Sequence, residues 1–195
     1  MAMTQQKVRG RIGVKTWTQG ILYVSQEVIR FLLIILQQRG LSNDLILQNK
    51  ETLTNGFYTW LLMRHLRKAI LEVFQEGSPE ATERWDMTFE YADPNKEDVS
   101  TADGVDDVWK TYIDEVSEFM GTLNALPSGT IYRVIVDLED EVDGLPPAAV
   151  PGWAPSEMKR VDHLEKHEFG EPIIDTKVSG QDLIKVKMEY WGKLS

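Results

Sequence analysis

The chain has 195 residues, which suits one domain with its own core or one domain with a large appendage. Hydrophobic residues make up 42% and charged residues 27%, as in ordinary globular proteins. A net charge of -10 argues against general nucleic-acid binding, which needs clustered Lys and Arg, and the absence of cysteine excludes disulfides, thiolate chemistry and Cys-ligated zinc.

Residues 1–16 carry Lys7, Arg9, Arg11 and Lys15 and no acidic residue. In an acidic protein such an arm reads either as a solvated terminus or as a handle for an acidic partner or a pulling machine. No signal-peptide, myristoylation or prenylation pattern is visible, and the apolar run Val28–Leu36 contains Arg30 and is shorter than the ~20 residues that span a bilayer. The expectation is a cytoplasmic chain with no membrane partner.

Trp17 to Arg39 has helical spacing at Ile21, Val24, Val28, Phe31, Leu32 and Ile35, with Ile29, Leu33, Ile34 and Leu36 on the other faces. A helix apolar nearly all round is buried on most sides, and Gly40 stands where a helix C-terminus wants a glycine. Asn49 to His65 is a second helical segment, weakened by Asn55-Gly56, with Leu53, Phe57, Trp60, Leu61 and Arg64 on one face.

Residues 67–75 read as a strand, and Glu76-Gly77-Ser78-Pro79 supplies a turn. The strand 82–91 returns with Trp85, Met87, Phe89 and Tyr91 on one face and Arg84, Asp86, Thr88 and Glu90 on the other, so one buried face is expected. The connecting loop is about six residues, slightly long for a hairpin. After a polar loop at 92–102, Asp103 suits an N-cap, and Val105, Val108, Trp109, Tyr112, Ile113, Val116, Phe119, Met120 and Leu123 mark an amphipathic helix with an acidic outer face, ending before Pro127. Residues 130–138 (TIYRVIVDL) are apolar on both faces and read as a strand with little exposed face.

Glu139 to Asp143 are nearly all acidic, and LPPAAVPGWAP at 145–155 cannot form helix or sheet interior. Segments 172–178 and 183–191 flank Ser179-Gly180-Gln181-Asp182 and read as a second hairpin.

No GxSxG, phosphate-cradling loop or HExxH occurs. His163 and His167, with Glu165 and Glu168, would suit a metal if the segment were helical, but it lies in a strand-rich tail with no third strong ligand. Asp93-x-Asn95-x-Glu97 lacks the glycine and closing glutamate of a calcium loop. The run Asp137, Glu139, Asp140, Glu141, Asp143 reads as solvated charge rather than as catalytic carboxylates. No metal or cofactor is implied.

Three places carry a family resemblance: the helix end Ile35-Leu36-Gln37-Gln38-Arg39-Gly40, the return strand opening Glu83-Arg84-Trp85, and the passage from the third helix through Leu126-Pro127 into strand 130–138. With the order of elements, the chain resembles the HORMA domain over most of residues 17–191. The implied fold is α+β, with three main helices on a mostly antiparallel sheet and a C-terminal safety belt. The implied division is a basic arm at 1–16, a core at 17–138 and a belt at 139–195 within a single domain.

HORMA proteins are not enzymes. The resemblance implies that a closure-motif peptide adds as a strand beside Ile131, Tyr132, Arg133, Val134, Ile135, Val136, Asp137 and Leu138. The belt, with Trp153, Ile173, Ile174, Val178, Ile184 and Val186, would pass over the peptide and dock on the far edge of the sheet. It further implies an AAA+ ATPase remodeller that engages the N-terminal segment, with Lys7, Arg9 and Arg11 as the handle, and a second HORMA protein as a further partner. The chain looks most like the bacterial HORMA proteins of CBASS anti-phage operons, whose closed form binds and activates a CD-NTase cyclic-oligonucleotide synthase. Three other readings stand beside it: a eukaryotic-type HORMA assembly adaptor, a non-HORMA α+β scaffold docking through the acidic helix face, and a metal hydrolase using His163 and His167.

Overall fold

A computed structural model of the chain describes residues 17–91, 105–170, 173–178 and 181–193. Helix α1 (Trp17–Gln38) runs through the middle of the fold, and Ile21, Val24, Val28, Phe31, Leu32, Ile35 and Leu36 are buried. By length and composition it could cross a membrane, being longer than the apolar run alone suggests, yet most of its apolar window is buried inside the fold. Gly40 ends it at φ +70, with the Gly40 N–H on the Gln37 carbonyl and the Leu41 N–H on the Leu36 carbonyl. That left-handed residue with paired return bonds satisfies carbonyls the helix leaves open.

A short helix α2 (Asp44–Gln48) follows, which the sequence pattern does not show. Helix α3 (Lys50–Leu62) runs unbroken through Asn55-Gly56, contrary to the expected weakness there. Arg64, expected on the buried face of α3, lies past its end at φ 61.

Strands β1 (Leu66–Gln75) and β2 (Glu83–Tyr91) form the expected hairpin, and helix α4 (Val105–Met120) precedes strand β3 (Thr130–Leu138). The tail adds β4 (Glu165–Glu168), β5 (Ile173–Val178) and β6 (Gln181–Gly192). All named pairings are antiparallel, in the order β3-β1-β2-β6-β4, with β5 also on β6. The tail hairpin is therefore present, but β6 begins at Gln181, so Gln181 and Asp182 are strand rather than turn. The loop at 92–102 and Asp103 lie outside the described residues.

The helix-facing side of the sheet is the core. Ala69, Leu71 and Val73 of β1, Trp85, Met87 and Phe89 of β2, and Val186, Met188 and Tyr190 of β6 pack with α1, α3 and α4. The opposite face was expected to be solvated on β2, and this is corrected: Asp86 is fully buried. Its carboxylate accepts from Arg84 at 2.8 and 2.9 Å and from Lys68 at 3.2 Å, and these long side chains lie across the strand and exclude water. Strand β3 is half-buried rather than enclosed on both faces, because it lies at the sheet edge.

The two sequence landmarks meet inside the molecule. Arg39 at the end of α1 donates to Glu83 at the start of β2 at 2.6 and 3.1 Å, and to the Asn124 carbonyl at 2.6 Å. Both side chains are almost fully buried, so the pair ties the central helix, the central strand and the α4–β3 loop to one point. Removing one partner of a buried ion pair leaves an uncompensated charge, whereas replacing both is far less costly. Arg39→Met should lower the unfolding free energy by about 3–5 kcal/mol. The double variant with Glu83→Leu should recover much of that loss, as read by urea denaturation.

Candidate functional site

Strand β3 pairs with β1 along its length, from Thr130↔Gln75 to Leu138↔Leu66, and among the described residues no strand pairs with its other side. A turn at Ser128-Gly129, with Gly129 at φ +76, feeds the strand. The Thr130 hydroxyl fastens the turn by donating to the Pro127 carbonyl and accepting from Gln75, both at 2.6 Å. At the other end the Glu139 N–H donates to the His65 carbonyl at 2.8 Å, and Arg67 pairs with Asp137 at 2.7 Å. The Asp137 carboxylate holds the Arg67 guanidinium above its ordinary pKa.

Side chains alternate along β3. Tyr132, Val134, Val136 and Leu138 pack partly against the core, while Ile131, Arg133, Ile135 and Asp137 occupy the opposite face. Ile131 is 40% exposed. Burial pushes the Tyr132 phenol up, against the opposing effect of the Ile46 and Leu45 backbone of α2 beside it. The eight residues assigned to the strand from sequence therefore stand together on one edge, whose outward main-chain groups have no strand partner among the described residues.

After Leu138 the chain turns away. Glu139, Asp140 and Glu141 are exposed, which fits a solvated charge run. Asp143 (φ 52) and Gly144 (φ 79) make a turn closed by mutual bonds between Val142 and Leu145. The chain then lies on α3: Trp60 donates its indole N–H to the Ala148 carbonyl at 2.8 Å, and the Trp153 ring stands edge-on to Trp60 (5.1 Å) and Phe57 (5.8 Å). Trp153 donates its own indole N–H to the Thr52 carbonyl at 3.2 Å.

The Trp153 ring explains why a glycine stands inside α3 at position 56. A Cβ there would lie 2.5 Å from the Trp153 indole nitrogen, so the missing side chain is the notch that receives the ring. Gly152 (φ +87) fits just as closely, with an added Cβ falling 2.7 Å from the Thr52 methyl.

By Ser156 the chain has reached the other face of the sheet. Arg133 donates to the Ser156 hydroxyl at 2.8 Å and to the Glu157 carbonyl. The Lys159 N–H donates to the Glu72 carboxylate at 2.7 Å, and Lys159 lies over the Phe74 ring at 4.5 Å. Arg160 bridges to Glu80 in the β1–β2 loop, and His163 bonds the Ala81 carbonyl at 3.0 Å. A few residues reach at most ~3.6 Å each, so the passage from Trp153 to Ser156 must go round the nearest sheet edge, which is β3. Segment 139–164 thus loops outside the free edge and is fastened on both faces.

Of the other residues singled out from sequence, Trp153 sits on α3, while Ile184 and Val186 are buried in the core opposite β2. Ile173, Ile174 and Val178 lie on β5, paired with Lys185, Ile184 and Gln181 and away from β3. Lys7, Arg9 and Arg11 lie outside the described residues. His163 and His167 are not on a helix: the first is in a turn, and the second is on β4, stacked on Phe119 at 4.2 Å. Among the described residues no group of His, Asp and Glu is placed to hold a metal. A cavity of about 650 Å³ at the C-terminal ends of α1 and α4 has Arg39 as its charged lining residue, and Arg39 is committed to Glu83. Sequence reading missed Glu72, whose signal was a lone acid inside the apolar run 69–74, and the roles of Gly56 and Gly152.

A model of the family described as Bacterial HORMA domain 2 matches residues 9–192. Comparison with curated proteins gives no match. Among solved structures, the chain is similar to C. elegans HTP-2 bound to the HIM-3 closure motif, at a TM-score of 0.71 and 16% identity over 93% of each chain. It is similar to a chain of the mitotic checkpoint complex at a TM-score of 0.64 and 15% identity, over 88% of this chain and 99% of that one. A chain of the E. coli MS115-1 CdnC:HORMA-deltaN complex matches at 0.51 and 10% identity, over 93% and 92%. At these identities the likenesses show the fold.

The Gly56 notch gives a test with an unusual sign. Gly→Ala inside a helix normally stabilises by about 1 kcal/mol. Gly56→Ala should instead destabilise, because the methyl collides with Trp153. In a Trp153→Ala background the same change should cost much less, the remainder being the 3.0 Å approach to the Trp60 ring, as measured by thermal and urea unfolding of the four chains.

Proposed function

This chain belongs to the bacterial HORMA domain 2 family, whose members are non-catalytic adaptors, and from that premise we propose that it captures a short extended peptide along β3 and holds it beneath segment 139–164. The carrying observation is a strand with one unpaired side, encircled by a segment fastened on both faces of the sheet. A peptide entering there would complete the ladder through main-chain bonds, with alternate side chains against Val134 and Val136 on one face and Ile131 and Ile135 on the other.

The tail hairpin occupies the far edge, on β2, leaving β3 free. In this reading that is the closed arrangement, residues 17–138 are the core and 139–195 the belt. The C. elegans relative is bound to a closure motif, which supports a peptide as ligand. The E. coli structure is a CdnC:HORMA complex, which supports a CD-NTase synthase as the partner switched on by the closed form in anti-phage defence. An AAA+ remodeller acting through Lys7, Arg9 and Arg11 would reopen the belt in the cytosol, and a second HORMA protein would be one source of the peptide. The exposed acids Asp114, Glu115 and Glu118 on α4 offer a docking face for a basic partner surface.

Deleting 139–195 would be a poor test, because β6 supplies Ile184, Val186, Met188 and Tyr190 to the core. Single prolines are cleaner. Neighbouring residues of an antiparallel strand aim their main-chain groups to opposite sides. Of Val134→Pro and Ile135→Pro, one therefore breaks the ladder to β1 and the other removes a donor only from the free edge, where proline is tolerated. With peptides selected from a random display library on the native chain, the free-edge variant should stay folded and lose at least about tenfold in affinity, the order of one lost hydrogen bond. Undiminished capture by the variant that stays folded would sink the reading. The peptide-bound chain, and not the empty one, should co-elute with a CD-NTase synthase of the CdnC kind.

A further inference from the structure

A segment that closes over a bound strand has to be held on both sides of it. On the helix side the hold is neutral, the Trp153 ring in the Gly56 notch. On the other side it is ionic. The geometry points to Glu72 as the positioning residue that latches segment 156–159 shut, acting together with Arg133. Its purpose rests on the capture reading, but its geometry does not.

Glu72 is an acid with no exposed side-chain surface. Its two oxygens serve different parts of the chain. Oε2 accepts from Arg133 Nε at 2.8 Å, across the β1–β3 ladder, where the two residues are direct register partners. Oε1 accepts the Lys159 N–H at 2.7 Å. Arg133 in turn donates to the Ser156 hydroxyl and the Glu157 carbonyl. One buried carboxylate and one guanidinium therefore bind β1, β3 and the crossing segment into a single network. The Phe74 ring lies beneath it, with Arg133 at 5.6 Å and Lys159 at 4.5 Å.

Charge-assisted bonds are stronger than neutral ones, and a buried carboxylate stripped of a donor carries a desolvation penalty. Lifting 156–159 strips Glu72 of its main-chain donor and takes two acceptors from Arg133. Trp153, by contrast, gives up only contacts between neutral groups, none of them to a buried ion. The ionic hold is thus the one that gates release. Arg133 also belongs to the strand whose edge is free, so a strand adding there touches the residue that grips the belt.

The chain carries its own reporter. Arg160 has an exposed side chain, but its N–H donates to the Pro79 carbonyl at 3.2 Å and its carbonyl accepts from the Ala81 N–H at 3.0 Å. Trypsin can cut after Arg160 only when this stretch lifts. Native-state digestion of the full chain, read by intact mass without any peptide, compares wild type with Glu72→Gln, which keeps the shape but loses the charge and one of the two acceptor oxygens. It also compares Lys159→Pro, which removes the N–H that Glu72 accepts, with Lys159→Ala, which keeps it.

Cleavage after Arg160 should be at least about tenfold faster in Glu72→Gln than in wild type and in Lys159→Pro than in Lys159→Ala, with cleavage after Arg67 and Lys68 unchanged. Equal rates after Arg160 would overturn the latch, as would parallel acceleration at Arg67 and Lys68, which means general loosening. If Glu72→Gln does not fold, the Lys159 pair decides alone, since it leaves the sheet untouched. A chain that latches but captures no peptide would refute the capture reading only, and a failed latch leaves capture to its own test.

Discussion

A strand at a sheet edge carries a row of main-chain donors and acceptors with nothing to bond, and such an edge invites pairing with any extended chain. The sheet order puts β3 in that position and gives the opposite edge to the tail. The rest of the architecture answers to this constraint. The hairpin β1–β2 holds β3 in register, the tail hairpin covers β2, and the segment between them is laid round the open edge instead of being paired to it.

The tail has two halves of different character. Its far half belongs to the core: Phe169 and Tyr190 pack with Trp85 and Phe119, and His167 stacks on Phe119. Its near half, 139–164, has few buried side chains and is held by point contacts. Local opening free energies follow buried contact and protected bonds. Fewer buried contacts therefore hold the near half than the far half.

Much of the fold was legible because its signals are local. The alternation through Trp85, Met87 and Phe89, the apolar length of α1 and the left-handed Gly40 all depend on neighbours in sequence. Arg39 and Glu83 were legible as landmarks of a family but not as partners, since their bond joins residues far apart in the chain. The misreadings share that cause. Gly56 looked like a helix defect because the ring that fills its notch comes from Trp153, and Asp86 looked solvated because the cations over it come from two strands. The edge at 131–138 was found through the family likeness, while the ionic contacts that fasten the crossing segment lay beyond any local pattern.

Strand-to-strand bonds run from β3 through β1 and β2 to β6, and the chain itself runs from β3 back to β6 outside the free edge. Together they form a closed ring of covalent and hydrogen-bonded links. Anything lying beside β3 passes through that ring as a thread does. An extended segment with a free end can slide out along its own axis. One flanked by folded bodies at both ends cannot, whatever its intrinsic affinity, and its lifetime equals the lifetime of the ring. Residence is then a topological property, and it scales with what opens the loop instead of with the contacts the segment makes.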